Sequence, residues 1–276
     1  SCISLGNNIV DTTKYVYQKN IEYGRAYINK GEDQTILNMD LIRYKGAVTD
    51  KSIPVVLVHG GEFSGGSRQD DDLVELAKEL SDFGYVCFLP DYRLEGDDPP
   101  VPEEYKYFIM GKTLYPSSVD IKKCIRHIRI NSENYRVDPN RLVLIGESAG
   151  AIISYAINFN DDSSFNKDDG LSSLNEEYLS INGKPNMTVG LWGSCHMYVS
   201  QLDKNDPPIL IMHGTMDFTL GASYPDSLDI YFESKNKKLP HEFYPLYGYG
   251  HGAWDAKVKK KSISEIINQF ILDPPS

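Results

Sequence analysis

No run of this 276-residue chain approaches the ~20 consecutive apolar residues that a membrane-spanning helix requires, so no membrane partner is expected. Cysteine is scarce. The four present, Cys2, Cys87, Cys124 and Cys195, include no C-x-x-C pair and are too few for a disulfide scaffold. Cys87 falls in a strand-like run and Cys124 on an apolar helical stripe, where buried free thiols are expected. Cys2 and Cys195 are open to either pairing or remaining free. Basic charge is short as well. Against 39 Asp and Glu stand 28 Lys and Arg, a net charge of −11, which offers no basic face to phosphates and excludes nucleic acid as a partner. That surplus of acid is read as solubility. The six histidines include no pair at helical metal-ligand spacing, so no metal and no other cofactor is expected. Neither an internal repeat nor a linker divides the sequence, and a single domain over residues 1–276 is expected.

What is present is the composition of a globular protein, 41% hydrophobic and 24% charged. Strand and helix patterns alternate along it. Residues 14–28 and 36–44 are rich in β-branched and aromatic side chains and read as an antiparallel hairpin. Pro54–Val58 is a continuous apolar run, as suits a strand buried on both faces. Residues 70–83 place Leu73, Leu76, Ala77, Leu80 and Phe83 on one helical face before Gly84. Residues 86–89, 141–145, 189–192, 209–212 and 242–246 read as further strands. Helices are expected from about Ser118, over 149–157, and within 221–236 and 255–271. Such alternation predicts a mostly parallel sheet of about eight strands, covered by helices on both faces. The polar stretch 158–186 breaks the rhythm and is read either as a small cap insertion over the site or as a plain surface loop.

Three segments carry chemistry. Gly146-Glu147-Ser148-Ala149-Gly150 lies between the strand-like Leu142–Ile145 and a helix-like run. This is the context in which a serine is held on a sharp turn as a nucleophile. A serine hydroxyl needs a base, and the base needs an orienting partner. Asp217, just past the apolar run 209–212, is the candidate acid. His251, between Gly250 and Gly252, is the candidate base. His59-Gly60-Gly61 ends the 54–58 strand, and the N–H groups of Gly60, Gly61 and Ala149 are candidate oxyanion donors. His59 itself is read as a brace for that loop, and His213 as a strand-end support. Glu62, Trp192 and His196 stand as substrate-binding candidates. The 19 tyrosines fit either an aromatic cleft or ordinary strand composition.

Ser, Asp and His in that chain order are the arrangement of the α/β-hydrolases. The set resembles hormone-sensitive-lipase-like carboxylesterases of that superfamily. It comprises His59-Gly60-Gly61, Asp91-Tyr92-Arg93-Leu94, Asp138-Pro139-Asn140-Arg141, Gly146–Gly150, His213–Asp217 and Gly250-His251-Gly252. The pattern departs from the group at Glu62 and Ala151, where glycine is frequent. Within the group, the Asn-, Asp-, Lys- and Tyr-heavy sequence is most similar to secreted feruloyl and carbohydrate esterases of plant-cell-wall degraders. The resemblance implies an α/β-hydrolase fold and a serine esterase acting on a small or polysaccharide-linked ester. Alternatives on the same frame are an acetylxylan esterase, an arylformamidase, a prolyl-oligopeptidase-type peptidase or a non-catalytic binding module. The chain opens on Ser1 rather than Met, and a processed or trimmed, secreted protein is expected. The oligomeric state is left open.

Overall fold

The computed structural model describes residues 9–11, 14–46, 51–107, 111–167 and 176–276. It opens with β1 (Ile9–Asp11) and the long hairpin of β2 (Tyr15–Ile28) and β3 (Asp33–Tyr44). The hairpin register runs from Tyr15 opposite Tyr44 to Ile28 opposite Asp33, with bulges near Asn20 and Tyr23. Then follow β4 (Pro54–Val58), α1 (Asp71–Asp82), β5 (Val86–Pro90), α2 (Gly111–Ile130), the short α3 (Ser132–Tyr135) and β6 (Val143–Glu147). The chain continues through α4 (Ala149–Phe159), the short α5 (Glu176–Leu179), β7 (Met187–Leu191), β8 (Ile209–Gly214), α6 (Tyr224–Lys237) and β9 (His241–Leu246). It finishes with a two-strand ladder, β10 (Lys257–Val258) and β11 (Lys261–Ser262), and α7 (Ile263–Leu272).

Nine strands form one sheet in the order β1-β2-β3-β5-β4-β6-β7-β8-β9. The six from β5 to β9 are parallel, and β3 joins them antiparallel through β5. Alternate residues of β4 serve the two faces, because side chains in a strand have a period of two. Val55 and Leu57 pack with Leu73, Leu76 and Leu80 of α1 and with Ile267 and Phe270 of α7. Val56 and Val58 pack with Ile121, Ile125 and Ile128 of α2 and with Ile152 and Ile153 of α4. The run 54–58 is therefore apolar throughout because helices cover both of its sides.

The strand order positions the site. From β4 the chain crosses to β5 on one side and returns to β6 on the other. Loops leaving β4 and β6 thus part above neighbouring strands, and a crevice opens at the carboxyl ends of such a pair. Val58 pairs with Gly146, which sets His59-Gly60 beside Glu147-Ser148.

Two expectations are corrected in extent. Helix α2 starts at Gly111, a full two turns before Ser118, with Pro116 inside it. Pro116 is its sixth residue, so the missing N–H leaves the carbonyl of Lys112 without its intrahelical donor. The sheet has nine strands rather than about eight; the short edge strand β1 accounts for the ninth. Of the stretch 158–186, residues 168–175 lie outside the described residues. Its described parts are fastened to α2: Lys122 Nζ donates to the carbonyls of Asp162 (2.6 Å) and Ser164 (2.5 Å), and Arg126 Nε to that of Ile181 (2.8 Å). Cys87, Cys124 and Cys195 are free and buried, while Cys2 lies outside the described residues.

Candidate active site

Ser148 occupies the turn between β6 and α4 with φ 52° and ψ −117°, a backbone conformation that costs a non-glycine residue free energy. The turn is so tight that a side chain at Gly150 would place its Cβ 2.1 Å from the carbonyl oxygen of Val58. Glycine is the residue that lets α4 rise this close to β4. Helix α4 begins at Ala149, so the Ala149 N–H has no intrahelical acceptor and sits at the positive end of the helix dipole.

Asp217 is presented by the turn after β8, closed by its own N–H donating to Gly214 O (3.1 Å). His251 lies on the loop after β9. The two loops meet backbone to backbone: Met216 N–H donates to Tyr249 O at 2.8 Å. A Cβ on Gly214 would lie 2.3 Å from Gly250 O, so this approach also demands glycine.

The result is one chain of hydrogen bonds. His251 Nε2 is 2.8 Å from Ser148 Oγ, and His251 Nδ1 is 2.8 Å from Asp217 Oδ2. The Asp217 side chain is fully buried, that of His251 is 31% exposed, and Ser148 is 8% exposed. Ser148 and His251 thus face solvent from a buried Asp217. Burial alone would push the Asp217 carboxyl up. Hydrogen bonds from His251 and from Thr219 N–H (2.9 Å) outweigh it and hold the group below its ordinary range. An ionised Asp217 accepts, so Nδ1 of His251 carries the proton and Nε2 is left free to accept from Ser148.

The His59-Gly60-Gly61 loop is braced. His59 is buried, its ring stacks on Tyr92 at 4.4 Å, and its Nδ1–H donates to Gly60 O at 2.7 Å. Burial lowers the pKa of this imidazole, which favours the neutral ring. Tyr92 Oη donates to His59 O at 3.0 Å. The neighbouring Arg93 is fully buried and paired with Asp120 of α2, Nη2 to Oδ1 at 2.8 Å. The Asp-Tyr-Arg-Leu segment therefore anchors the loop rather than touching the triad.

Three assignments change. Gly60, expected as an oxyanion donor, gives its N–H to Oε1 of Glu147, which leaves Gly61 and Ala149 as the candidate donors. Trp192, expected in the pocket, is fully buried against Trp254 (4.6 Å, 78° between planes), and its Nε1–H donates to Glu147 Oε2 at 3.1 Å. His196 is exposed beside Asp229 (3.3 Å), in a groove of ≈ 520 Å³ with Val199, Ser200, Phe232 and Glu233, and no triad residue lines that groove. Glu62 is exposed on the oxyanion loop with φ 55°.

Glu147 went unnoticed in the sequence, although a carboxylate inside an otherwise small and apolar turn is a signal. Burial raises its pKa, opposed by the hydrogen bonds from Trp192 and Gly60 and by the charge of His251. Among the described residues no group of three or more His, Cys, Asp or Glu is placed to hold a metal ion.

A profile of the BD-FAE family matches residues 39–189, from β3 through the elbow to β7. The chain belongs to the BD-FAE family. It is an α/β-hydrolase of the esterase type. Among solved structures, esterase 2 of Thermogutta terrifontis phosphorylated by paraoxon superimposes with a TM-score of 0.67 at 18% identity, over 92% of each chain. A truncated carbohydrate esterase from gut microbiota gives a TM-score of 0.66 at 16% identity, over 97% of each. At these identities the likeness is one of fold. A curated relative, endo-1,4-beta-xylanase B of Butyrivibrio fibrisolvens, is 38% identical over 72 residues. That match covers 25% of this chain and 10% of the xylanase.

Proposed function

We propose that this BD-FAE member is a serine carboxylic-ester hydrolase that releases ferulic and related hydroxycinnamic acids from plant cell-wall polysaccharide esters. The observation that carries the chemistry is the unbroken chain Ser148–His251–Asp217, with both links at 2.8 Å. In this reading His251 takes the Ser148 proton as the hydroxyl attacks the ester carbonyl, while Asp217 fixes the imidazole tautomer and stabilises the imidazolium. The N–H groups of Gly61 and Ala149 receive the developing oxyanion. A donor of this kind is worth about 3 kcal/mol in the transition state. His251 then protonates the departing alcohol, and water enters on the same base to free Ser148 and release the acid.

Support for the substrate comes from the comparisons and from the surface. The carbohydrate esterase neighbour and the xylanase segment favour a carbohydrate-linked ester. Met216, Phe218 and Leu220 beside Asp217, with Tyr247 before His251, are large and exposed, and they rim the triad loops with apolar and aromatic surface suited to a hydroxycinnamoyl ring. An extracellular site of action belongs to the same proposal.

The test uses methyl ferulate, acetylated xylan and p-nitrophenyl butyrate in parallel, with mass spectrometry of the quenched enzyme. A feruloyl adduct on Ser148 and turnover of methyl ferulate are expected. Turnover of the nitrophenyl ester without any of methyl ferulate would refute the hydroxycinnamoyl assignment. Paraoxon labelling that survives Ser148→Ala would refute the nucleophile.

A further inference from the structure

The triad acid has a second imidazole on it. His213, the last residue but one of β8, places Nε2 at 2.9 Å from Asp217 Oδ2, the same oxygen that His251 Nδ1 holds at 2.8 Å. The turn Gly214–Asp217 folds the carboxylate back beneath the strand end, which is why a residue four positions away can reach it. An ionised carboxylate only accepts, so His213 donates from Nε2.

His213 is placed where an apolar side chain would be the cheaper choice. It is fully buried between Met212 and Gly214 and lies edge-on to Tyr224 of α6 at 6.1 Å. Its other ring nitrogen, Nδ1, is buried with no side-chain partner among the described residues, only the backbone of Ala222 interacting with the ring. Burying a polar ring so weakly paired costs free energy. The bond to Asp217 is what this ring offers in return.

We propose that His213 is a positioning residue of the hydrolytic reaction: it shares Oδ2 of Asp217 with His251, fixing the carboxylate rotamer and tempering the basicity that Asp217 confers on His251. This rests on the triad reading given above. Thr219 N–H holds Oδ1 at 2.9 Å, so the two oxygens are separately tied, one by backbone and one by two imidazoles. Without the His213 donor, Oδ2 would turn its full charge on His251 and favour the imidazolium. The titratable groups around this oxygen are His251 and His213 themselves, Tyr224 from α6, and Glu147 beyond His251. Across the β8–β9 ladder His213 faces Pro245, which carries no charge. Burial lowers the pKa of His213, with Asp217 acting in the opposite direction, so the ring is a neutral donor rather than a second cation.

The experiment compares His213→Gln and His213→Leu with the wild-type enzyme on p-nitrophenyl butyrate, with kcat, KM and the pH dependence of kcat/KM, alongside thermal melts. Gln presents its amide N–H where the ring places Nε2; Leu presents none. In the Leu variant kcat is expected to fall about tenfold or more with KM little changed, and the acid limb of kcat/KM to move to higher pH. The Gln variant is expected to recover both. If Leu does not fold, His213→Asn replaces it, since its shorter amide falls short of Oδ2. Equal loss in Gln and in Leu or Asn with an unmoved acid limb would reduce His213 to packing and overturn the inference. Wild-type kcat and pH profile in the variant lacking the donor would do the same. Paraoxon labelling of Ser148→Ala separates the two levels. Label lost in Ser148→Ala, with His213 variants behaving as packing changes, defeats this inference alone. Label retained there defeats the triad reading and this inference with it.

Discussion

Glu147→Gln preserves shape and removes one charge, and the structure makes it far from conservative. The carboxylate of Glu147 faces two donors at once, Gly60 N–H on Oε1 and Trp192 Nε1–H on Oε2. An amide has only one oxygen. If it keeps Gly60, its NH2 meets the indole N–H of a tryptophan with no exposure to water. The loss is one hydrogen bond to a charged acceptor, about 1.5–3 kcal/mol, plus a buried donor left unpaired, about 1–3 kcal/mol. Part of this is offset because a buried charge disappears, and the raised pKa of Glu147 shows that its ionisation is itself disfavoured by burial. A net destabilisation of about 2–3 kcal/mol is expected, or roughly 5–10 °C in Tm for a chain of this size. Activity should fall less than tenfold, since Gly61 and Ala149 remain as donors. The charge of Glu147 and that of a protonated His251 attract one another, so the acid limb of kcat/KM should shift to lower pH. Thermal melts and a pH–rate series on p-nitrophenyl butyrate measure both effects. A variant as stable as the parent, with its acid limb in place, would show that this carboxylate neither clamps the oxyanion loop nor acts on the base.

Asp217→Asn should lower kcat by about 10⁴ with the fold intact, because the amide favours the wrong imidazole tautomer; single-turnover kinetics with circular dichroism would expose the error if the loss were small. Gly214→Ala must push the Asp217 turn away from Gly250 O, now 2.3 Å from where the Cβ would stand, so it should lower kcat at little cost in KM. A crystal structure of that variant with both triad distances unchanged would contradict the account. Stability should decline as pH falls below about 6.5, the ordinary histidine value. Burial depresses the pKa of His59 and His127, so the unfolded chain binds protons that the folded one does not. Their contribution is complete above the unfolded value and is lost on acidification through it, by up to about 1.4 kcal/mol per pH unit for each ring. Chemical denaturation from pH 7.5 to 5.5 should show this slope reduced in His127→Gln, and an identical slope would exclude the histidine.

Much of the architecture is legible because it is local. The period-two and continuous apolar runs, the glycines on both sides of Ser148 and the strand-end positions of Asp217 and His251 are short patterns with short-range causes. The start of α2 was hidden for a physical reason. Gly111, Pro116 and Ser117 fall in its first two turns, residue types that read as a break rather than as a helical stripe. The assignment of Gly60 failed differently. Its partner is 87 positions away, and nothing near Gly60 announces that its N–H is already committed. Trp192 looked like a pocket residue because it ends a strand at the right edge of the sheet, yet its φ of 37° turns the ring inward to Glu147 and Trp254.

Glu147, unremarked in the sequence, and His213, read there only as a strand-end support, share one feature. Each is the polar residue that a neighbouring loop closes upon. Glu147 ties the loop after β4 and the end of β7 to the end of β6, and His213 ties the turn after β8 to its own strand. A nucleophile, an acid and a base from three loops need their relative positions held to within fractions of an ångström if the reaction is to be accelerated by orientation. Apolar packing at strand ends cannot supply this, because the loops there are half solvated. Directed hydrogen bonds from buried polar groups can, at a desolvation cost that the rest of the core absorbs. The positions to inspect in other sequences of this kind are therefore the residue before the nucleophile and the strand-end residue four before the acid.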